Sequence, residues 1–396
     1  MQDLRARVPA AGATGIGKVG IIGAGAMGGG IAAQFADAGI AVELLDIAGG
    51  DRGTGPAEAG IARQLREGGF ADPEAAERIR PGNTDDHLMR LRDADWVIEA
   101  VAEDAGIKRA LFRKIAPFLK SSAILSSNTS TFRRAELMGG MEEDLAGRFA
   151  ITHFFNPPRL MPLLETVVDD QAAPLLRERL HHAASLLLGK TSIDCQDTPG
   201  FIANRIGCFW IAVCVAEACD QGLDIETADA VQTVFGVPRT GVFGLLDLIG
   251  LDLVPTIWGG LMRALPEEDA LQSYDLPDNA LVRALLKRGS WGRKAGEGFY
   301  RKTQAGTLEV LDMDSLCYRA VRPQQAIPAD LLTLLRAEGP AGKYARTVLH
   351  ALIDYCLRHQ AEIAPDAGAV DRAMQLGYSW RDGPFALAKA AGLSGV

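Results

Sequence analysis

One stretch near the start of the chain limits its fold more than any other. Residues 18–23, KVGIIG, form an apolar run that enters the glycine cluster Gly23-Ala24-Gly25-Ala26-Met27-Gly28. An Ala-rich, helix-forming segment follows from Met27 to Ala38 and stops at Gly39. A second apolar run, Ile40 to Leu45, ends in Asp46. Strand, glycine turn, helix, strand is one βαβ unit, and such a unit requires a parallel sheet. A bare GxGxxG means little in a chain with 44 glycines, but here its position gives each residue a task. Gly23 makes the tight turn, Gly25 lets the backbone approach a pyrophosphate, and Gly28 allows helix to pack closely on strand. The helix N-terminus offers free N–H groups and a partial positive charge to the phosphates. Asp46 can accept hydrogen bonds from both ribose hydroxyls and would repel a 2′-phosphate, which points to NAD rather than NADP. Arg52 stands close enough in sequence to weaken that preference.

Further strands are predicted at Trp96 to Ala100, Ala123 to Leu125 and Phe149 to Thr152, with helical segments such as Ile107 to Leu119 between them. Alternating β and α over the first 190 or so residues predicts an α/β, doubly wound (Rossmann) domain. After Pro199 strand-like runs nearly vanish and helical periodicity takes over. Two segments of that half repeat: GVPRTGVFGLLDLIGL within Asp229 to Leu251, and GYSWRDGPFALAKAAGL within Asp371 to Leu393. Gly241/Gly383, Phe243/Phe385 and Gly250/Gly392 keep one constant offset. The expected organisation is a dinucleotide-binding domain over 1–198 and an all-α C-terminal region of two related helical modules, 199–302 and 303–396, the second cut short at Val396.

Composition removes other classes. The chain has 396 residues, 48% of them apolar, enough for more than one core. Its 41 basic and 50 acidic residues give a net charge of −9, unlike a general nucleic-acid binder. The six cysteines (Cys195, Cys208, Cys214, Cys219, Cys317, Cys356) have no CxxC spacing and suggest a reducing compartment with no disulfide framework and no zinc site. Met1 to Gly17 holds no apolar run of the kind a secretory signal needs. The longest apolar stretch, Ile206 to Ala216, is too short to span a bilayer. A cytoplasmic location is therefore the expectation, with no membrane span. His181-His182 reads as a solvated helix face rather than a metal site.

A second constellation lies in ITHFFNPPRLMPLLETV. His153 follows a strand at the ligand edge of the expected sheet, and histidine exchanges protons near neutral pH. Glu165 sits in the apolar run LLETV, where a buried carboxylate needs a partner. Pairing with His153 would hold the imidazole in one tautomer and favour its protonated form. A lone histidine is more often a packing residue, and a lone glutamate a solvated charge, so neither alone carries a catalytic claim.

Taken together, GAGAMGGGIA (Gly23 to Ala32), VIEAVAED with Lys108, SSNTS (Ser126 to Ser130), THFFNP (Thr152 to Pro157), LLETV and DTPGFIANRI (Asp197 to Ile206) resemble the L-3-hydroxyacyl-CoA dehydrogenase family. The likeness is nearest to the dehydrogenase portion of the multifunctional fatty-acid β-oxidation proteins, and it covers nearly the whole chain. The resemblance implies NAD-dependent oxidation of (S)-3-hydroxyacyl-CoA to 3-ketoacyl-CoA. It implies His153 as general base, Glu165 as its orienting partner, and Ser130 and Asn204 as hydrogen-bond partners of the substrate near its reacting oxygen. Asn156 matches a residue beside the nicotinamide. Asp46, Glu103 and Lys108 match further NAD contacts, with Met27 and Ala102 flanking the cofactor. Against these roles, Asn128, Ser130 and Asn204 could serve only as helix caps, and Lys108 only as an exposed helix charge.

The chain also departs from the family's pattern. Between Asp46 and Trp96 the family carries a longer, lysine-rich helical hairpin that helps hold CoA; here the segment looks abbreviated, with Arg63, Arg66 and Arg78 as its remaining cations. Two alternatives stay open: a dehydrogenase of a free hydroxy or sugar acid, and a non-catalytic, crystallin-like NAD-binding protein. An intact His153–Glu165 pair argues against the latter. Expected partners are an acyl-CoA substrate and other β-oxidation enzymes, with the chain a monomer or homodimer.

Overall fold

The computed structural model describes residues 14–51, 53–169, 172, 175–322 and 327–393, so Arg52 and Val396 lie outside the described residues. The chain divides into two compact units, 1–198 and 199–396.

In the first unit the glycine-turn segment folds as strand β1 (Lys18–Ile22), helix α1 (Ala26–Asp37) and strand β2 (Ala41–Asp46), followed by α2 (Gly55–Glu67) and β3 (Ile79–Asn83). Next come β4 (Trp96–Glu99), α3 (Ala105–Ile115), β5 (Ile124–Ser127), the short helices α4 (Arg134–Leu137) and α5 (Glu143–Ala146), and β6 (Phe149–Phe154). The unit closes with β7 (Leu163–Val167), α6 (Leu176–His182) and β8 (Thr191–Asp194). The strands form one eight-stranded sheet in the order β3-β2-β1-β4-β5-β6-β7-β8. Strands β1 to β6 are parallel. The chain reverses its direction of travel across the sheet between β1 and β4, the place where such sheets bind ligands beyond their carboxyl ends. Val19, Ile21, Ile31, Phe35, Leu44, Trp96 and Ile98 are buried in one core cluster, as expected of parallel strands covered by helices.

Strand β7 runs antiparallel to β6. Residues 155–162 give only eight positions between the two strands, too few for the dozen or more that a parallel crossover needs. The outer strands escape a reading by apolar runs for related reasons. Edge strand β3, IRPGN, holds a proline and a glycine, which sheets admit mainly at edges. Edge strand β8, TSID, has four residues.

In the second unit, helices α7 (Ala203–Asp220), α8 (Ile225–Val234), α9 (Phe243–Ile249), α10 (Val254–Ala264) and α11 (Ala280–Arg288) precede a small antiparallel sheet of β9 (Tyr300–Lys302), β10 (Leu308–Leu311) and β11 (Tyr318–Ala320). Then follow α12 (Leu331–Arg336), α13 (Pro340–Ile363), α14 (Ala367–Tyr378) and α15 (Pro384–Ala390). The region is predominantly helical, but it is not purely so: the three short strands are an addition to the expected all-α reading. The apolar helix α7 is buried over Ile206–Val215 and packs on α13 and α14. Among the described residues, no single helix is long and apolar enough to cross a membrane.

The sequence repeat has a physical content. Asp229 accepts hydrogen bonds from the N–H groups of Phe243 (2.9 Å) and Gly244 (3.3 Å). Asp371 accepts them from Phe385 (2.7 Å) and Ala386 (3.0 Å). A Cβ on Gly241 would stand 2.2 Å from the Asp229 carboxyl carbon, and one on Gly383 would stand 2.2 Å from Asp371 Oδ1. Glycine is needed at both places so that a carboxylate from the preceding helix can cap α9 or α15.

Candidate active site

The carboxyl ends of β1, β2, β4, β5 and β6 share one edge of the sheet, and the motif residues of the first unit collect there. The glycine turn is fixed from both sides. Gly23 N donates to Leu45 O at 2.7 Å. Gly23 has φ +101°, and a Cβ on it would stand 2.3 Å from Ala100 O; only glycine fits. A Cβ on Gly28 would stand 1.8 Å from Gly23 O, so this residue lets α1 close onto the turn. Gly25 differs: a Cβ there would meet nothing within 4 Å. It faces open space at the helix start, where no side chain caps α1 and no acidic residue occupies the first turn. Such a cradle of unpaired N–H groups suits a pyrophosphate.

Asp46 closes the cradle. Its Oδ2 accepts from Ala24 N at 2.6 Å and its Oδ1 from Ile47 N at 2.7 Å, leaving lone pairs on both oxygens for ribose hydroxyls. Arg63 also belongs to this corner. Its Nη2 donates to Ala24 O at 2.5 Å, and α2 approaches so closely that a Cβ on Gly60 would stand 2.6 Å from the same oxygen. The sequence offered Arg63 only as a remnant of a CoA-holding element; the fold sets it on the glycine turn. Arg66 and Arg78 are exposed.

The residues at and beyond the ends of β4 and β5 form an ionic knot around the buried Lys108 and Glu99. Lys108 is 1% exposed, and its Nζ lies 2.7 Å from Glu99 Oε1 and 3.1 Å from Glu103 Oε2; the reading as an exposed helix charge fails. Glu99 also accepts from Val101 N at 2.7 Å and from the Ser127 hydroxyl. Glu103 accepts from Thr129 Oγ1 at 2.6 Å and from Ser130 N at 3.1 Å. Through this knot Lys108 and Glu103 shape the loop that holds Ser130. Sequence reasoning did not assign Glu99, although a carboxylate inside the apolar strand WVIE carries the same signal that singled out Glu165. Met27 is half-buried at the helix start, and Ala102 is exposed beside Glu103.

Neither Asn128 nor Ser130 caps a helix. The N–H groups at the start of α4 are taken by Asp197, which accepts from Arg134 N and, at 2.8 Å, from Ala135 N. Asn128 Oδ1 accepts from Phe154 N at 2.9 Å, tying the β5 loop to the end of β6. The Ser130 hydroxyl lies 3.4 Å from that of Thr131.

At that end of β6 stands His153. Antiparallel register pairs it with Glu165 on β7, so both side chains project from the same face of the sheet. Nδ1 of His153 is 2.7 Å from Oε2 of Glu165, with His153 5% and Glu165 0% exposed. The His153 ring also lies against Phe155, with centroids 4.5 Å apart. Asn156 is exposed in the loop that follows, joined to Pro157 by a cis peptide bond. Asn204 is half-buried in the second unit. It is the second residue of α7, which Ile202 precedes as N-cap, so it does not cap that helix. His181 bonds Asp194 at 3.0 Å. All six cysteines are free, four of them buried.

Residues 18–198 match the family model of the 3-hydroxyacyl-CoA dehydrogenase NAD-binding domain, and residues 200–302 match that of the 3-hydroxyacyl-CoA dehydrogenase C-terminal domain. A Rickettsia felis protein named as a fatty acid oxidation complex trifunctional enzyme is 36% identical over 389 residues, covering 96% of this chain and 54% of its own. The chain thus spans about half the length of such relatives. A Deinococcus radiodurans protein named as a 3-hydroxyacyl-CoA dehydrogenase is 36% identical over 294 residues, covering 73% of this chain and 84% of its own. Among solved structures, the (S)-3-hydroxybutyryl-CoA dehydrogenase of Ralstonia eutropha has a TM-score of 0.58 at 32% identity, covering 72% of this chain and 98% of that one.

Proposed function

The chain belongs to the 3-hydroxyacyl-CoA dehydrogenase family, an NAD-dependent oxidoreductase family, and on that premise we propose that it oxidises the 3-hydroxyl of an (S)-3-hydroxyacyl-CoA to a ketone, with His153 as general base and Glu165 as its orienting partner. The observation that carries this reading is the 2.7 Å contact between Nδ1 and Oε2 in a nearly dry site. An ionised Glu165 can only accept, so Nδ1 carries the hydrogen and Nε2 keeps its lone pair. Nε2 takes the hydroxyl proton, and the carboxylate offsets the charge that the ring acquires. In the reverse direction the same nitrogen returns the proton to the ketone oxygen.

NAD supplies the hydride acceptor when bound. The Gly23–Gly28 turn and the start of α1 would hold its pyrophosphate and Asp46 its ribose, with Met27, Ala102, Glu103 and Lys108 along its path and Asn156 beside the nicotinamide. Ser130 would bond the 3-oxygen and hold the substrate carbinol toward His153. A proton acceptor, oriented hydrogen bonds and a placed hydride acceptor complete the requirements of carbinol oxidation. Acyl-CoA as substrate, and fatty-acid β-oxidation as setting, take their support from the names of the relatives.

Initial rates of NADH oxidation with acetoacetyl-CoA and with free acetoacetate test the substrate class. Reduction of the thioester and not the free acid is the expected result. Reduction of the free acid alone would replace the thioester by a hydroxy-acid substrate. NADH binding with neither compound reduced would point to a non-catalytic protein.

A further inference from the structure

Beneath the loop that joins β6 to β7 lies a cation that the reaction as described leaves unused. Lys190, the residue before β8, is 4% exposed. Its Nζ donates to Pro158 O at 2.7 Å and to Met161 O at 2.6 Å. It also lies 5.6 Å from the centroid of the Phe154 ring, next in sequence to His153. The neighbouring Thr191 N donates to Pro162 O at 2.8 Å. On its other side the loop meets the cofactor helix: a Cβ on Gly30 of α1 would stand 3.0 Å from the Pro158 ring. The loop residues 155–162 are thus held between α1 and the start of β8.

Burying an ammonium group is costly, and the main compensation here comes from two carbonyl oxygens of one loop and an aromatic face. Desolvation pushes the Lys190 pKa down to about 8. A methionine would fill the same space without that cost, so filling space does not explain the cation. What the ammonium adds is a pair of hydrogen bonds, donated from one nitrogen to two carbonyls three residues apart, which fixes the curvature of the loop. Leu160 N and Met161 N both turn back to Pro157 O, at 3.0 and 3.1 Å, so the loop has a definite conformation to fix.

We propose that Lys190 is a positioning residue of the dehydrogenase reaction: its ammonium holds the 155–162 loop, and with it Asn156 and the end of the His153 strand, in the conformation that hydride transfer requires. The inference rests on the roles proposed above for His153 and Asn156. It assigns Lys190 no contact with substrate or cofactor.

Lys190→Met and Lys190→Arg separate the cation from its volume. For Lys190→Met, once circular dichroism shows it folded, amide hydrogen exchange at Phe155, Asn156, Leu160 and Met161 is expected to be at least about tenfold faster than in wild type. NADH should bind within about threefold of wild type, because the glycine turn is untouched, while the fluorescence of the bound nicotinamide changes. With acetoacetyl-CoA, kcat should fall by roughly ten- to a hundredfold with a smaller change in KM, the size of effect that misplacement by about an ångström produces. Lys190→Arg, which keeps the charge and the donors, should recover part of both loop protection and kcat. Should Lys190→Met not fold, Lys190→Gln, which keeps a donor, takes its place under the same readouts.

Loop exchange and kcat both within twofold of wild type would overturn the proposal. So would a loss of kcat with loop exchange unchanged. A wild-type protein inactive on the thioester would remove the functional reading instead, and loop exchange would still decide whether Lys190 holds the loop.

Discussion

His153 on β6 and Glu165 on β7 are register partners across an antiparallel strand pair, and their side chains meet at 2.7 Å inside a sheet otherwise built largely of parallel neighbours. Two adjacent strands set the distance between the groups, so it does not depend on a flexible loop. Glu165→Gln keeps the shape but removes the charge. A glutamine can present its NH2 as well as its carbonyl to Nδ1, so it neither enforces one tautomer nor offsets the imidazolium. We expect kcat to fall by roughly ten- to a thousandfold while NADH affinity stays within about threefold. Steady-state rates beside NADH titration measure both.

The glycines of the turn make a paired prediction. Gly25 has room for a methyl group in the free protein and an ordinary extended backbone (φ −61°, ψ −171°). Gly25→Ala should therefore keep the wild-type melting temperature within about 2 °C, yet weaken NADH binding by about tenfold or more, because the methyl occupies the phosphate cradle. Gly28 has no room, since its Cβ would lie 1.8 Å from Gly23 O. Gly28→Ala should cost about 1–3 kcal/mol of stability as well as cofactor affinity. Thermal melts with and without NADH separate the two behaviours.

Lys190 gives the protein a pH signature in stability. Its folded pKa of about 8 is set below the ordinary 10.5 by desolvation. Between these values the unfolded chain binds the proton that the folded chain has released, so this residue makes stability rise with pH across that window. The difference in urea-unfolding free energy, wild type minus Lys190→Met, should therefore climb from pH 8 towards pH 10. A flat or falling difference would contradict the stated burial of the ammonium.

How much of this was legible in the sequence depends on the kind of interaction. The Gly23–Asp46 unit could be read directly, because a local strand, turn and helix each leave a periodic trace. The His153–Glu165 contact was legible as chemistry: a carboxylate among Leu163, Leu164 and Val167 demands a partner. Its geometry needed the antiparallel turn, which the eight residues between β6 and β7 imply but apolar runs do not. Glu99 was open to the same reasoning and was passed over. Arg63 and Lys190 were not legible in this way, since each bonds backbone carbonyls far away in sequence, and such bonds leave no mark on residue type. The three strands of the second unit, with three or four residues each, are too short to establish a period of two.

The most direct test of the account is the initial rate of NADH oxidation with acetoacetyl-CoA for wild type and His153→Ala, with NADH affinity measured in parallel. Loss of the general base should lower kcat by about two to four orders of magnitude, with NADH still bound and the melting temperature little changed. A His153→Ala variant that binds NADH and reduces the thioester within about threefold of the wild-type rate would contradict the assignment of His153 and, with it, the proposed mechanism.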